Sequence, residues 1–213
     1  KDFPESVYYC IYSFTNIRGF REILPLFPND VEIFESVSSE FCSDVKRWEI
    51  RYVLLLWLSQ LALVPFDISF NSEKREKLID NLIQKSKDLL GSPSKDSEAA
   101  ALFLSRLLLR KDMVNKRDEF IEGFLEDKER LIIGSLKCMF YMLTGYDREW
   151  VVPFAEKLLD KMESLADSNS SLHKLFYSKI IQQIALSLLP PRVAPWRYQR
   201  GKRIIDLNKI EKD

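Results

Sequence analysis

The chain has 213 residues, of which 32 are basic, 32 are acidic and 46% are hydrophobic. This charge balance argues against a dedicated nucleic-acid binder, because such proteins usually carry a basic excess over the whole domain. The hydrophobic fraction is sufficient for a large core in one or two domains. Cys10, Cys42 and Cys138 are odd in number and far apart, which favours reduced thiols in the cytosol over a disulfide framework.

Apolar periodicity predicts helices along the whole chain and no strand, so the expected fold class is all-α. The predicted helices cover residues 5–18, 29–42, 47–63, 73–90, 97–110, 114–126, 128–144, 147–165 and 170–189, with a further one after 197. Residues that end or interrupt helices separate them. These breaks lie at Gly19, Pro25, Pro28, Pro65, Gly91 to Pro93, Gly145 and Pro190-Pro191.

The helix predicted over 47–63 has almost no solvent-facing side. From Tyr52 to Leu58 every residue is apolar or aromatic, and such a helix must be covered by other helices or lie in a membrane. The apolar stretch is shorter than the ~20 residues of a bilayer span, so we place it inside a stack of helices. Its predicted core residues are Leu54, Leu55, Trp57 and Leu58. Three neighbours could serve either packing or binding: Trp48, Arg51 and Tyr52.

The spacing of the helices predicts a repeat architecture. Taken in pairs, they begin near residues 5, 47, 97, 128 and 170, which gives spacings of about 42, 50, 31 and 42 residues. Two-helix repeats of the HEAT or armadillo type run about 40–47 residues and bury their apolar faces by stacking. We therefore expect residues 1–213 to form one right-handed helical solenoid segment of about five helix pairs, cut from a longer chain. A closed helical bundle is the alternative.

Catalytic chemistry has little support. His173 is the only histidine, and four nearby residues supply the other residue types of a hydrolytic triad: Asp167, Ser168, Ser170 and Ser171. Polar residues before an apolar run are also typical of helix N-caps, and we prefer that interpretation. Zinc-ligand spacing is missing, and Gly201-Lys202 lacks the rest of a phosphate loop. We predict no enzyme active site, no cofactor and no metal, with an all-α hydrolase using His173 as an alternative.

Residues 192–203 form the most basic stretch, with five cations, two aromatic residues and no acid. Tryptophan, tyrosine and arginine are the side chains most often found as energetic anchors of protein interfaces. The stretch could bind an acidic partner protein, bind single-stranded nucleic acid, or pack back on the preceding helix. Its candidate protein-binding residues are Arg192, Trp196, Arg197, Tyr198, Arg200, Lys202 and Arg203.

Two long segments and a weaker third one resemble a known family. They are WEIRYVLLLWLS at 48–59 with Pro65-Phe66-Asp67, APWRYQRG at 194–201, and Asn16-Ile17-Arg18-Gly19 followed by Leu26-Phe27-Pro28. In this order they resemble the tubulin-folding cofactor D (tubulin-specific chaperone D) family over roughly residues 8 to 205. The resemblance implies a large HEAT-repeat chaperone, of which this chain would be an internal piece from the N-terminal half.

The resemblance also implies partners. The family captures β-tubulin and acts with cofactors C and E and an Arf-like small GTPase in assembling and disassembling αβ-tubulin dimers. With these partners it stimulates GTP hydrolysis by tubulin. We therefore expect a cytoplasmic, cytoskeleton-associated scaffold that takes part in microtubule biogenesis, with no nucleic acid and no membrane span. The alternative is a generic HEAT or armadillo adaptor for another protein cargo.

Overall fold

The computed structural model describes residues 4–43, 45–65, 73–126, 132–145, 149–163, 165–166 and 168–189. Within these ranges the chain forms ten α-helices and no strand. They are α1 (Glu5–Arg18), α2 (Phe20–Ile23), α3 (Val31–Cys42), α4 (Trp48–Leu61), α5 (Glu73–Leu89), α6 (Asp96–Leu108), α7 (Val114–Glu126), α8 (Ile133–Leu143), α9 (Ala155–Glu163) and α10 (Ser171–Leu188). Short 3-10 turns occupy Leu24–Leu26, Lys111–Met113 and Glu149–Phe154.

Nine of these helices confirm the nine helices predicted between residues 5 and 189. The differences between the predicted and the observed helices have local causes. Gly19 has a φ of 84°, which few other residues adopt, so the chain turns there and starts the unpredicted short helix α2. Pro153 lacks the N–H that an α-helix needs, and the first part of the segment predicted over 147–165 is accordingly a 3-10 turn. The helix predicted after 197 lies outside the described residues.

The helices stack in two layers. Helices α1, α4, α6, α8 and α10 form the first layer, in which each packs on the next, most extensively α4 on α6 and α6 on α8. The second layer contains α3, α5, α7 and α9; α3 packs on α5 and α7 on α9. First-layer helices begin at residues 5, 48, 96, 133 and 171, close to the predicted pair starts. This open row confirms the helical solenoid rather than the closed bundle, whereas its handedness and the extent of the segment over 1–213 stay predictions.

Helix α4 is the centre of the core, as predicted. All residues from Tyr52 to Leu58 are at most 6% exposed, and Leu54, Leu55 and Leu58 are completely buried. Trp57 stacks on Phe27 with ring centroids 5.7 Å apart, and its indole Nε1–H donates a hydrogen bond of 2.7 Å to the carbonyl of Pro28. The buried indole thus holds the loop before α3 against α4. Within the described ranges, no helix combines the length and apolar character that crossing a membrane requires.

Candidate protein-interaction surface

The basic stretch chosen from the sequence follows helix α10, which ends at Leu188. All seven of its candidate residues lie outside the described residues, so their role stays a prediction. They are Arg192, Trp196, Arg197, Tyr198, Arg200, Lys202 and Arg203.

Arg51, which the sequence left open, is a structural residue. Its Nη2 and Nε donate to Asp96 Oδ2 at 2.8 and 3.0 Å, and its Nη1 donates to the carbonyls of Val45 and Lys46, each at 3.1 Å. Asp96 is completely buried at the start of α6 and also accepts a hydrogen bond from the Ser94 hydroxyl. A carboxylate is favourable there because the helix dipole is positive at the N-terminus. Arg51 therefore ties α4 to α6 and to the loop before α4.

Trp48 and Tyr52 form the contact of α4 with α1. The ring of Tyr12 on α1 meets both edge-on, with centroids 5.2 Å from Trp48 and 5.7 Å from Tyr52. Tyr52 is buried, and burial raises the pKa of its phenol. Lys95 Nζ lies 5.8 Å from the Tyr12 ring centre and donates a hydrogen bond to Asn16. These aromatic residues pack the first two helices of the row together.

An open groove crosses the first layer where α4, α6 and α8 end, and we call it the inter-repeat groove. It has a main part of about 810 Å³ and a smaller part of about 310 Å³ that reaches the connection after α2. Both parts are lined by Leu102, Arg106 and Tyr141. The main part also contains Ala62, Leu63, Val64, Pro65, Ser105, Leu109, Arg110, Lys111, Asp112, Thr144 and Gly145.

Arg110 is fully engaged by its own chain. Its guanidinium forms a two-bond pair with Asp112, with Nε to Oδ1 at 2.9 Å and Nη2 to Oδ2 at 3.1 Å. Its Nη1 donates to the carbonyls of Ala62 and Val64 at 2.8 and 2.9 Å. These carbonyls belong to residues that follow the end of α4, so Arg110 stabilises the connection that leaves this helix.

Arg106 lies on α6, four residues before Arg110, and has a different environment. Its Nη1 donates to the carbonyl and hydroxyl of Ser59 at 3.1 and 3.3 Å, and no carboxylate of the described residues lies within 4.0 Å. Burial lowers the pKa of its guanidinium.

Tyr141 is the third residue that lines both parts of the groove. The hydroxyl of Tyr141 donates to Glu98 at 3.4 Å, and burial together with this carboxylate raises the pKa of Tyr141 to about 12.

Sequence reasoning missed this groove. Its signal is nevertheless present in the segment LFLSRLLLR, where Arg106 and Arg110 stand four residues apart among mostly apolar residues. Arg106 is on α6, and Arg110 lies just after the end of this helix in extended conformation. Guanidinium donors at the end of a buried helix need hydrogen-bond partners, such as an anion or the carbonyl end of a neighbouring helix.

The histidine belongs to the start of α10. The His173 backbone N–H donates to the Ser170 hydroxyl at 3.5 Å, which confirms the N-cap prediction. Ser168 Oγ lies 3.2 Å from His173 Nδ1, and the same oxygen accepts a hydrogen bond from the Ser170 N–H at 3.2 Å. Asp167, the acid of the hydrolase alternative, lies outside the described residues. These contacts are the local ones of a capped helix.

None of the three cysteines is paired in a disulfide in the structure, and their reduced state in the cytosol stays a prediction. Cys10 is exposed, Cys42 half-buried and Cys138 buried. Burial raises the pKa of Cys42 and, more strongly, of Cys138. In the part of the chain that the structure describes, no three His, Cys, Asp or Glu side chains are grouped as metal ligands.

The two-layer row of helix pairs, with a groove across its successive repeats, defines an α-helical repeat protein of the HEAT and armadillo class. Comparison with known proteins makes this more specific. A family model described as tubulin-specific chaperone D-like, ARM repeat, matches residues 1–127, and the chain belongs to this family. The resemblance seen in the sequence is thereby confirmed.

Two curated relatives cover more of the chain. It is 28% identical over 210 residues to tubulin-folding cofactor D of Schizosaccharomyces pombe (strain 972 / ATCC 24843), an alignment with 91% of this chain and 18% of the relative. It is 26% identical over 208 residues to tubulin-specific chaperone D of Dictyostelium discoideum, with 78% of this chain and 14% of the relative. The chain thus spans less than a fifth of the length of these relatives. No solved structure matches the chain significantly.

Proposed function

We propose that this chain is part of a tubulin-folding cofactor that binds β-tubulin in the assembly and disassembly of αβ-tubulin dimers. The observation that supports the proposal most directly is the family match over residues 1–127, joined by relatives named tubulin-folding cofactor D and tubulin-specific chaperone D. A row of stacked helix pairs suits such a client, because a solenoid offers a long surface to a large folded protein.

The chain acts in this proposal as a scaffold without an active site of its own. It works with cofactors C and E and an Arf-like small GTPase, and any stimulation of GTP hydrolysis by tubulin uses catalytic residues of those partners. The expected place of action is the cytoplasm, in association with the cytoskeleton. Residues 192–203, with five cations and no acid, are the proposed contact for an acidic partner.

Gel-filtration co-elution of the chain with αβ-tubulin and, separately, with the Arf-like GTPase tests the proposal. The test variant carries Arg197→Glu, Arg200→Glu and Arg203→Glu. A control with the same charge change carries Arg18→Glu, Lys77→Glu and Lys157→Glu, three exposed residues on α1, α5 and α9. We expect co-elution of the wild type and the control, and its loss in the test variant.

Other outcomes have distinct meanings. If a folded chain co-elutes with neither protein, the proposal that this segment binds tubulin or the GTPase is wrong. If the charge-reversed variant still co-elutes, binding occurs elsewhere on the solenoid and the basic stretch is not the contact. A chain that captures other proteins but not tubulin would instead support the generic adaptor.

A further inference from the structure

We propose that the inter-repeat groove is a peptide-binding site, separate from the basic stretch at 192–203. Its ligand is an extended segment of a protein partner in which an acidic side chain stands next to a large apolar side chain. The acidic group pairs with Arg106, and the apolar group covers the exposed leucine beside it. This inference does not depend on which client protein the solenoid binds.

The first argument is the hydrogen-bonding capacity of Arg106. A guanidinium has five N–H donors, and only its Nη1 has a partner among the described residues. Arg106 is half-buried and lines both parts of the groove, so a ligand in the groove can reach its guanidinium. A planar fork of this kind matches the two oxygens of a carboxylate.

The second argument is charge. Among the described residues that line the two parts are four cations, namely Arg21, Arg106, Arg110 and Lys111, and one carboxylate, that of Asp112. Asp112 is already held by both ends of the Arg110 fork. Among the described residues, the lining of the groove therefore has more cations than carboxylates, in a chain whose overall charge is zero. Charge complementarity selects an acidic ligand.

The third argument is the apolar wall of the groove. Leu63 is 54% exposed just after the end of α4, and it lines the main part together with Leu109. Covering such a side chain with an apolar ligand group is favourable because it removes apolar area from water. The volume of about 810 Å³ is within the range of ligand-binding clefts, so there is room for several ligand side chains.

Fluorescence anisotropy with labelled peptides tests the proposal on the 213-residue chain. The probe is the fluorescein-labelled peptide GSLDELSG, and its two control peptides are GSLNQLSG, without charge, and GSSDESSG, without apolar side chains. We expect the probe to bind at least about tenfold more tightly than either control, since each lacks one of the two recognised groups.

Substitutions locate the binding. Arg106→Gln should weaken probe binding about tenfold, and Arg106→Lys, which keeps the charge but loses the fork, should weaken it less. Leu63→Ser and Lys111→Gln change exposed side chains, so they test the groove without disturbing the core. Arg75→Gln removes a cation from α5 in the second layer, and Arg197→Gln removes one from the basic stretch; both should bind like the wild type.

The proposal is overturned if the neutral peptide binds as tightly as the probe, or if the probe does not bind at millimolar concentration. It is also overturned if Arg106→Gln, Leu63→Ser and Lys111→Gln all bind like the wild type, or if Arg197→Gln alone abolishes binding. If the wild-type chain binds the probe peptide but does not co-elute with αβ-tubulin, the proposed function is rejected and the assignment of the groove as a peptide-binding site still holds.

Discussion

Arg51 and Asp96 form an ion pair that joins consecutive repeats of the solenoid, with Nη2 and Oδ2 2.8 Å apart. The Asp96 side chain is completely buried and that of Arg51 is 24% exposed. The two residues are 45 positions apart in the sequence, so this pair fixes the position of α6 relative to α4 over a long stretch of chain. Arg51 also donates hydrogen bonds to the carbonyls of Val45 and Lys46, so the same side chain holds the loop before α4 in place.

Arg51→Met should destabilise the chain by about 3–5 kcal/mol in urea unfolding monitored by circular dichroism. The substitution leaves the Asp96 carboxylate buried without its cation, and removing one partner of a buried pair costs far more than the pair itself contributes. It also leaves the carbonyls of Val45 and Lys46 without this donor.

Arg75→Met is the matched control for this substitution. Arg75 pairs with Glu35 at 3.9 Å, but both side chains are more than 40% exposed, and exposed pairs contribute less than about 1 kcal/mol. Equal effects of Arg51→Met and Arg75→Met would contradict the structural role given to the Arg51 pair.

The fold could be predicted well from the sequence because its signals are local. The unbroken apolar run around Leu54 and Leu55 predicts burial on every side, and it is buried. The 3-10 turn at Pro153 is harder, because a proline permits several local structures until packing selects one. Helix periodicity likewise does not reveal that α1, α4, α6, α8 and α10 share one layer, although their starting positions suggest it.

The candidate site was less predictable, for a physical reason. The partners of Arg51 and Arg106 are Asp96 and Ser59, which lie 45 and 47 residues away. Pairing between distant residues is set by how repeats stack, and periodicity contains no information about it. Charge density led instead to the basic stretch at 192–203, which lies outside the described residues and stays a prediction.

Gly134→Ala should destabilise the chain by about 2–3 kcal/mol. A Cβ at position 134 would overlap the carbonyl oxygen of Leu90 and lie 2.8 Å from both the Leu90 Cα and the Ser97 hydroxyl oxygen. Backbone atoms cannot move aside cheaply, so the first turn of α8 would be pushed away from the connection between α5 and α6. Thermal unfolding by differential scanning calorimetry measures the effect.

Gly123→Ala provides the comparison, because a Cβ there meets nothing within 4 Å. Gly123 lies within α7, where alanine is the better helix former, so we expect a gain of about 0.5–1 kcal/mol. The interpretation of Gly134 as a close-packing position would be rejected if both alanine variants shifted the stability in the same direction.

Tyr141 should make the chain less stable in strong base. Its folded-state pKa of about 12 lies above the ordinary value of 10, so the folded chain holds the phenol proton more tightly than the unfolded chain. Above pH 10 the unfolded state binds fewer protons, and stability therefore decreases as pH rises toward 12. We expect the free energy of unfolding of Tyr141→Phe to fall by about 1 kcal/mol less than that of the wild type over this pH range. This figure is smaller than the pKa shift alone would give, because the ring of Tyr141 is partly exposed to solvent, which screens the effect.

The measurement is urea unfolding of wild type and Tyr141→Phe at pH 9, 10 and 11. At pH 9 the two should differ little, because the hydrogen bond to Glu98 is long at 3.4 Å. Parallel stability curves for the two proteins over this range would rule out Tyr141 as a source of the pH dependence.

The three thiols should react with Ellman's reagent at three different rates. Cys10 is exposed and should react first, while Cys42 is half-buried with a raised pKa and should follow more slowly. Cys138 is buried between α8 and its neighbours, and burial raises its pKa, so it should react only on unfolding. The thiolate is the reacting species, so restricted solvent access and a raised pKa both slow the reaction of a buried cysteine.

Single variants assign these phases. Cys10→Ser should remove the fast phase alone, and Cys138→Ser should change only the total released in denaturant. Because Cys138 is completely buried on α8, its reactivity in the native chain also measures how often the packing around this helix opens. Reaction of Cys138 at the rate of Cys10 in the native chain would mean that this packing opens readily, which would contradict a stably packed core around α8.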